Sequence, residues 1–265
     1  MKVLGVKQFH QMRFKLLDLS GSPFQGVLGK VPKNFIAVVY GFSGNGKTEF
    51  CVRLAKELCN HGKVAWLGYE QRHGSDFQEA TRRNKMDEVT GSFFPIDPIA
   101  GTEGVSLLQD LDDYLKKRNS PDFIFIDSVD YTGFTWDEYL FLKNKYGNRK
   151  AFIFTAHSTK SGALKKAISE RIVFDGGLGI FVSSYIAQPI KNRFGGFEPF
   201  VVWEERAMLQ NPAFFPKAST GKRAKSASKQ VPLFAETSPE VEEEFTKIAL
   251  EERGVRAEFS TKTRG

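Results

Sequence analysis

Only two cysteines, Cys51 and Cys59, occur in 265 residues, so neither a disulfide framework nor a four-cysteine zinc module can be assembled. Long apolar runs are missing as well. No stretch approaches the length that crosses a bilayer, and Met1, Lys2, Val3, Leu4 and Gly5 do not open a secretory h-region. The sequence therefore predicts a cytoplasmic chain with no membrane partner. Acidic residues are the minority charge, 31 against 38 Lys and Arg, and the resulting +7 favours a polyanionic partner. A length of 265 residues suits one sizeable α/β core with an extension, not several independent domains.

What is present is a phosphate loop. Gly41, Phe42, Ser43, Gly44, Asn45, Gly46, Lys47 and Thr48 spell G-x-x-x-x-G-K-T. An apolar run from Phe35 to Tyr40 precedes it, and a helical pattern from Glu49 to Asn60 follows, with Phe50, Leu54 and Leu58 four apart and Gly62 as an expected left-handed stop. The glycines let successive backbone N–H groups curl around an anion, Lys47 supplies charge to the β- and γ-phosphates, and Thr48 is a ligand for Mg2+. A chance match in a loop would lack the flanking strand and helix. The expected cofactors are ATP and Mg2+.

Further along, apolar runs alternate with helical spacing: Val64 to Gly68, then Val105, Leu108, Leu111 and Leu115, then Phe123 to Ile126, then Ala151 to Phe154. That alternation predicts an α/β fold with a mostly parallel central sheet flanked by helices. Shorter β-like runs at Ile172 to Phe174, Ile180 to Ile186 and Phe200 to Trp203 predict antiparallel strands extending one edge. Ligands collect at the carboxyl ends of such strands. Asp127, closing Phe123 to Ile126, is placed there as a second Mg2+ ligand. Glu70, just past Val64 to Tyr69, becomes the candidate catalytic base, although a lone Glu in a loop is commonly just solvated. Thr155 and His157 reach the same rim, with His157 the candidate sensor of the γ-phosphate.

In order and content these segments resemble the RecA-like ATPases, within them the bacterial RadA and DnaB branch. The discriminating stretches are His157-Ser158-Thr159-Lys160-Ser161-Gly162 and Lys191-Asn192-Arg193-Phe194-Gly195. The resemblance covers roughly Gly26 to Trp203. It implies that Lys191 and Arg193 act in trans, on the γ-phosphate held by a neighbouring copy, and hence that the chain forms a homo-oligomer, by default a hexameric ring over a filament. The alternative is an exposed basic turn with no such role. RadA's zinc module and protease-like domain and DnaB's helical collar have no place here, which suggests a stripped core of the sort a phage or mobile element encodes.

The same resemblance turns the loops after the Asp127 and His157 strands toward single-stranded DNA. From the second loop Lys160, Lys165, Lys166 and Arg171 are the candidate DNA contacts; most of Tyr131 to Lys150 instead fits an amphipathic helix whose aromatics are core. The expected layout is a leader (1–25), the ATPase domain (26–212), a basic disordered linker (213–235) and an acidic tail (236–265). In the tail Val241, Phe245 and Ile248 form an apolar stripe that reads either as a helix for a protein partner or as a weakly structured balance to the linker. The leading functional expectation is a DNA-dependent ATPase, an oligomeric motor for helicase action or branch migration in replication, recombination or repair. Its alternative is an ATP-dependent switch or loader with slow hydrolysis; a regulatory ATPase of the circadian-clock type, without DNA, comes third.

Overall fold

Apolar residues at consecutive positions become strands buried on both faces, as a parallel sheet covered by helices requires. The computed structural model describes residues 3–98 and 104–216. Two short helices, α1 (Val6–His10) and α2 (Gln25–Leu28), lead into β1 (Ile36–Gly41), α3 (Lys47–Leu58), β2 (Val64–Gly68), α4 (Ser75–Arg83) and β3 (Phe93–Ile96). Next come α5 (Leu107–Leu115), β4 (Phe123–Asp127), α6 (Val129–Thr132), α7 (Trp136–Tyr146) and β5 (Ala151–His157). The described part closes with α8 (Ala167–Asp175), β6 (Leu178–Ser183), β7 (Ile186–Asn192), β8 (Phe200–Val201) and α9 (Glu204–Gln210).

Among the described residues eight strands form one sheet, in the order β3-β2-β4-β5-β1-β6-β7-β8. Pairing is parallel from β3 to β6, and β7 and β8 add antiparallel pairs at one edge. This is the α/β architecture expected from the sequence. The strand period of two sorts the core onto two faces. Ala37, Val39, Phe123 and Phe125 join Phe50, Leu54 and Phe77 on the α3 and α4 side. Ile36, Val38, Ile124 and Ile126 join Leu111, Tyr139 and Ile172 on the side of α5, α7 and α8. Trp66 stacks between Phe77 and Phe125, with ring centroids 4.9 and 5.2 Å away.

The structure corrects several local expectations. Ile172 to Phe174, read as β-like, lies in α8, where Ile172 and Val173 are buried and Phe174 is exposed, the one-sided burial of a helix rather than strand alternation. Gly62 is not left-handed: α3 ends at Leu58, and a Cβ on Gly62 would come within 2.2 Å of the Asp122 carboxylate, so the Asp122 side chain would have to move aside. The parallel edge strand β3 was not anticipated. Leu17, Leu19 and Phe24, from the expected leader, are buried in the core, and Phe24 stacks on Phe200 at 4.7 Å. Beyond α9 a 3-10 turn spans Pro212–Phe214. The basic stretch after residue 216 and the acidic stripe of Val241, Phe245 and Ile248 lie outside the described residues.

Candidate nucleotide site

The phosphate loop bridges β1 and α3 at the carboxyl edge of the sheet. Gly44 and Gly46 take φ of 80° and 94°, which L side chains disfavour, and a Cβ on Gly46 would also press to 2.7 Å from the Tyr185 ring. Gly46 caps α3, whose buried residues Phe50, Cys51, Leu54, Ala55 and Leu58 fix the helix axis, so its free N–H groups point into the loop. Cys51 is buried, as a small core residue should be, and Cys59 is half-buried; both are free thiols. Asn45 locks the loop to the β6–β7 hairpin: its Oδ1 accepts from Ser184 N at 2.8 Å and its carbonyl from Tyr185 N at 3.1 Å.

A cleft of about 360 Å³ opens over this loop. Ser43, Gly44, Gly46, Lys47, Thr48, Glu70, Asp127 and His157 line it, so the expected nucleotide, metal, base and sensor residues converge. Lys47 Nζ rests on the Phe42 carbonyl at 3.2 Å. Burial lowers its pKa, and the nearby carboxylates of Glu70, Asp127 and Asp130 partly restore it.

Asp127 is buried at the end of β4, with Oδ1 accepting from Thr155 Oγ1 at 2.5 Å. Its Oδ2 is buried with no hydrogen-bond partner among the described residues. Burial pushes the carboxyl up to about 6; Thr155 opposes that rise and Glu70 reinforces it. A desolvated carboxylate oxygen without a donor, on a residue that lines the cleft alongside Thr48, fits a divalent cation. Thr155, delivered to this rim as anticipated, is thus committed to Asp127, while His157 is left facing the cleft.

Glu70 Oε2 lies 2.8 Å from His157 Nε2, and the Glu70 backbone N–H donates to the Asp127 carbonyl at 2.9 Å. Burial pushes the Glu70 carboxyl up, but His157, Ser128 and Lys47 together outweigh it and leave the pKa below its usual value.

A second cavity, of about 690 Å³, lies against the same residues. Ser43, Glu70 and His157 line both spaces, and Lys165, Lys166, Tyr131 and Asp130 complete the second. Of the expected DNA contacts, Lys165 and Lys166 belong here. Lys160 sits 6.0 Å from the Phe42 ring centroid, while Arg171 lies over Trp136 at 4.2 Å and lines neither space.

Lys191 and Arg193 stand apart from this chain's own cleft. Asn192 is in register with Leu178 and Leu178 with Ala37, so the end of β7 lies at the sheet rim opposite the phosphate loop. There Lys191 Nζ donates to the Val173 and Phe174 carbonyls at 2.7 and 2.5 Å, capping the end of α8, and Arg193 Nη2 reaches the Phe174 carbonyl at 3.5 Å. Burial lowers the Lys191 pKa, helped by Arg193.

Several site residues escaped the sequence. Arg83, Tyr185, Trp203 and Arg206 line the far end of the nucleotide cleft. The Trp203 ring is approached by the guanidiniums of Arg206 and Arg83, at 4.7 and 5.3 Å, and Arg206 donates to the Tyr185 hydroxyl at 3.0 Å. An aromatic face flanked by cations suits a nucleobase and sugar. The one signal available was composition, an aromatic and an arginine, Trp203 and Arg206, downstream of the last strand. Asp130 was also missed, although it lies three residues after Asp127.

No protein-family model matches the chain, and no curated protein matches it significantly. Among solved structures, the flagellar accessory protein FlaH from Methanocaldococcus jannaschii aligns with a TM-score of 0.50 at 18% identity, over 70% of this chain and 91% of that one. The KaiC-like protein PH0186 from Pyrococcus horikoshii OT3 aligns with a TM-score of 0.50 at 15% identity, over 66% and 88%. Among the described residues no helix is long and apolar enough to cross a membrane. The likeness is one of fold, and with the sheet order and the phosphate loop it gives this chain the RecA-like P-loop architecture.

Proposed function

We propose that this chain is a Mg2+-dependent ATP hydrolase of the RadA and DnaB branch that works as an assembly of copies and is stimulated by single-stranded DNA. The observation that carries the reading is the shared wall: Ser43, Glu70 and His157 border both the phosphate cleft and the cavity that holds Lys165 and Lys166. A ligand in one space therefore touches the carboxylate that serves the other.

A triphosphate along Gly44 to Thr48 meets the loop N–H groups and the Lys47 ammonium. Thr48 and Asp127 would hold Mg2+, which supplies charge neutralisation at the β- and γ-phosphate oxygens. Glu70, ionised at neutral pH, orients the attacking water and accepts its proton, and His157 holds that carboxylate in place. Lys165 and Lys166 attract a phosphate backbone, and the exposed ring of Tyr131 offers a base a stacking face. Lys191 and Arg193, at the rim away from their own cleft, are the groups offered to a neighbour's γ-phosphate.

Phosphate release from ATP, followed with and without single-stranded DNA over a salt series, tests the reading. Stimulation that declines with rising salt is expected, with a smaller stimulation ratio in Lys165→Ala/Lys166→Ala. Hydrolysis indifferent to DNA at every salt concentration retires the DNA partner and keeps the hydrolase. The second reading, a slow ATP-dependent switch that recruits a protein, draws support from the Glu70–His157 bond, which occupies a carboxylate oxygen that fast proton removal from water would need. It predicts ATP-dependent partner capture that is lost on Phe245→Ala and kept in Lys165→Ala/Lys166→Ala.

A further inference from the structure

Asp130 has no part in the reaction just described, yet its side chain is buried and fully engaged. Oδ2 accepts the backbone N–H of His157 at 2.6 Å, and Oδ1 accepts from Ser169 Oγ at 3.0 Å. Its carbonyl accepts from Lys166 Nζ. Three pieces of chain meet at this residue: the end of β5, the first turn of α8 and the lysine-bearing loop between them. A buried carboxylate that accepts from a backbone N–H is held by a charge-assisted bond, stronger than a neutral one. The ring of His157 meets Glu70, so the position of the His157 backbone sets where the Glu70 carboxylate rests.

We propose that Asp130 is a positioning residue for hydrolysis: it fixes the His157 backbone so that the imidazole keeps Glu70 aimed into the nucleotide cleft. Through Ser169 and Lys166 it also ties the basic cavity to that carboxylate. The inference rests on Glu70 being the base of ATP hydrolysis. An anion that draws Lys166 away from the Asp130 carbonyl loosens one anchor of the same residue, which gives the shared wall a physical route for coupling.

Asp130→Asn keeps the shape but removes the charge: its Oδ1 can still accept from His157 N and its amide can donate to Ser169 Oγ, a hydroxyl that also accepts, so the anchor survives only as weaker neutral bonds. The expected result is kcat lower by about three- to tenfold with KM for ATP within about twofold of the parent. In the same variant the His157 amide resonance should shift upfield, as its acceptor loses its charge. Unchanged kcat, or KM rising in step with kcat falling, overturns the proposal. Glu70→Gln, measured alongside, separates the two layers: if it keeps full turnover, the catalytic reading of Glu70 fails, whereas loss there with normal kcat in Asp130→Asn removes the positioning role alone. Should Asp130→Asn not fold, Ser169→Ala strips one bond from the same carboxylate. It is expected to lower kcat about two- to fivefold at constant KM, and an unchanged kcat overturns the proposal equally.

Discussion

The His157 imidazole and the Glu70 carboxylate meet at 2.8 Å across the end of β4, because β2 and β5, which carry them, flank that strand in the sheet. The pair therefore spans the position of Asp127. The proposed base, sensor and metal ligand come from three adjacent strand ends, and none can shift without disturbing the next.

Glu70→Gln should keep its contact with His157 and its place in the cleft while losing the ability to take a proton. Turnover is expected to fall by about 10² to 10⁴ with nucleotide affinity retained. Steady-state phosphate release and titration with a fluorescent ATP analogue check both halves; normal turnover removes the base role.

Asp127 makes an opposite prediction for stability. Its folded pKa of about 6 lies above the ordinary 3.8, so the folded state penalises the ionised form. The penalty is fully present above about pH 6 and gone below about pH 4. Without nucleotide, Asp127→Asn should be more stable than the parent at pH 7.5, by about 2–3 kcal/mol at most, and this advantage should vanish at pH 4. Stabilisation of the parent by Mg2+ and nucleotide should grow from pH 5.5 to 7.5 and be mostly lost in the variant. Thermal melts over that pH range decide it, and a variant less stable than the parent at pH 7.5 contradicts the assignment.

Asp112 shows the reverse sign. Buried on α5, it receives Lys145 Nζ and Tyr146 Oη from α7, each at 2.6 Å, and Lys116 Nζ at 2.7 Å. Burial alone would raise its pKa, yet these three donors pull it down to about 2. Its stabilisation is therefore present above about pH 4 and lost between about 4 and 2. Asp112→Asn should cost about 1–3 kcal/mol at pH 7 and about a third of that at pH 2.5, where the folded carboxyl is still partly ionised, as measured by urea unfolding at both pH values.

If Lys191 and Arg193 act on a neighbour, activity should be restored by mixing two inactive variants. Glu70→Gln copies supply intact fingers, and Arg193→Ala copies supply intact clefts. Arg193→Ala alone should lose about 10³-fold in turnover, and an equimolar mixture should recover a measurable fraction of it. No recovery, with mixed assemblies verified by native mass spectrometry, counts against action in trans. Lys191→Ala should in addition soften the end of α8, whose Val173 and Phe174 carbonyls it caps, and lower the melting temperature slightly.

The strands that build the site could be read from the sequence because each is an apolar run closed by a chemically distinct residue: Gly41 closing β1, Glu70 after β2, Asp127 closing β4 and His157 closing β5. Burial on both faces leaves no other pattern open to them. β3 was hidden because Pro95 interrupts Phe93 to Ile96, and a proline ordinarily argues against a strand unless the strand lies at an edge. Ile172 to Phe174 misled because three apolar residues fit either period, and what settles them as helix is packing against β1 and the cap from Lys191. Asp130, Tyr185, Trp203 and Arg206 acquire their roles only where distant segments meet. Their spacing along the chain carries no trace of that convergence.

The two ends of the described sheet differ in form but agree in effect. At one, Pro95 offers an incoming chain no amide hydrogen; at the other, β8 runs for two residues only. A foreign strand would miss one ladder bond at Pro95 and would find only a two-residue template on β8. Within the described residues, these two margins therefore favour contact through side chains and loops over strand addition.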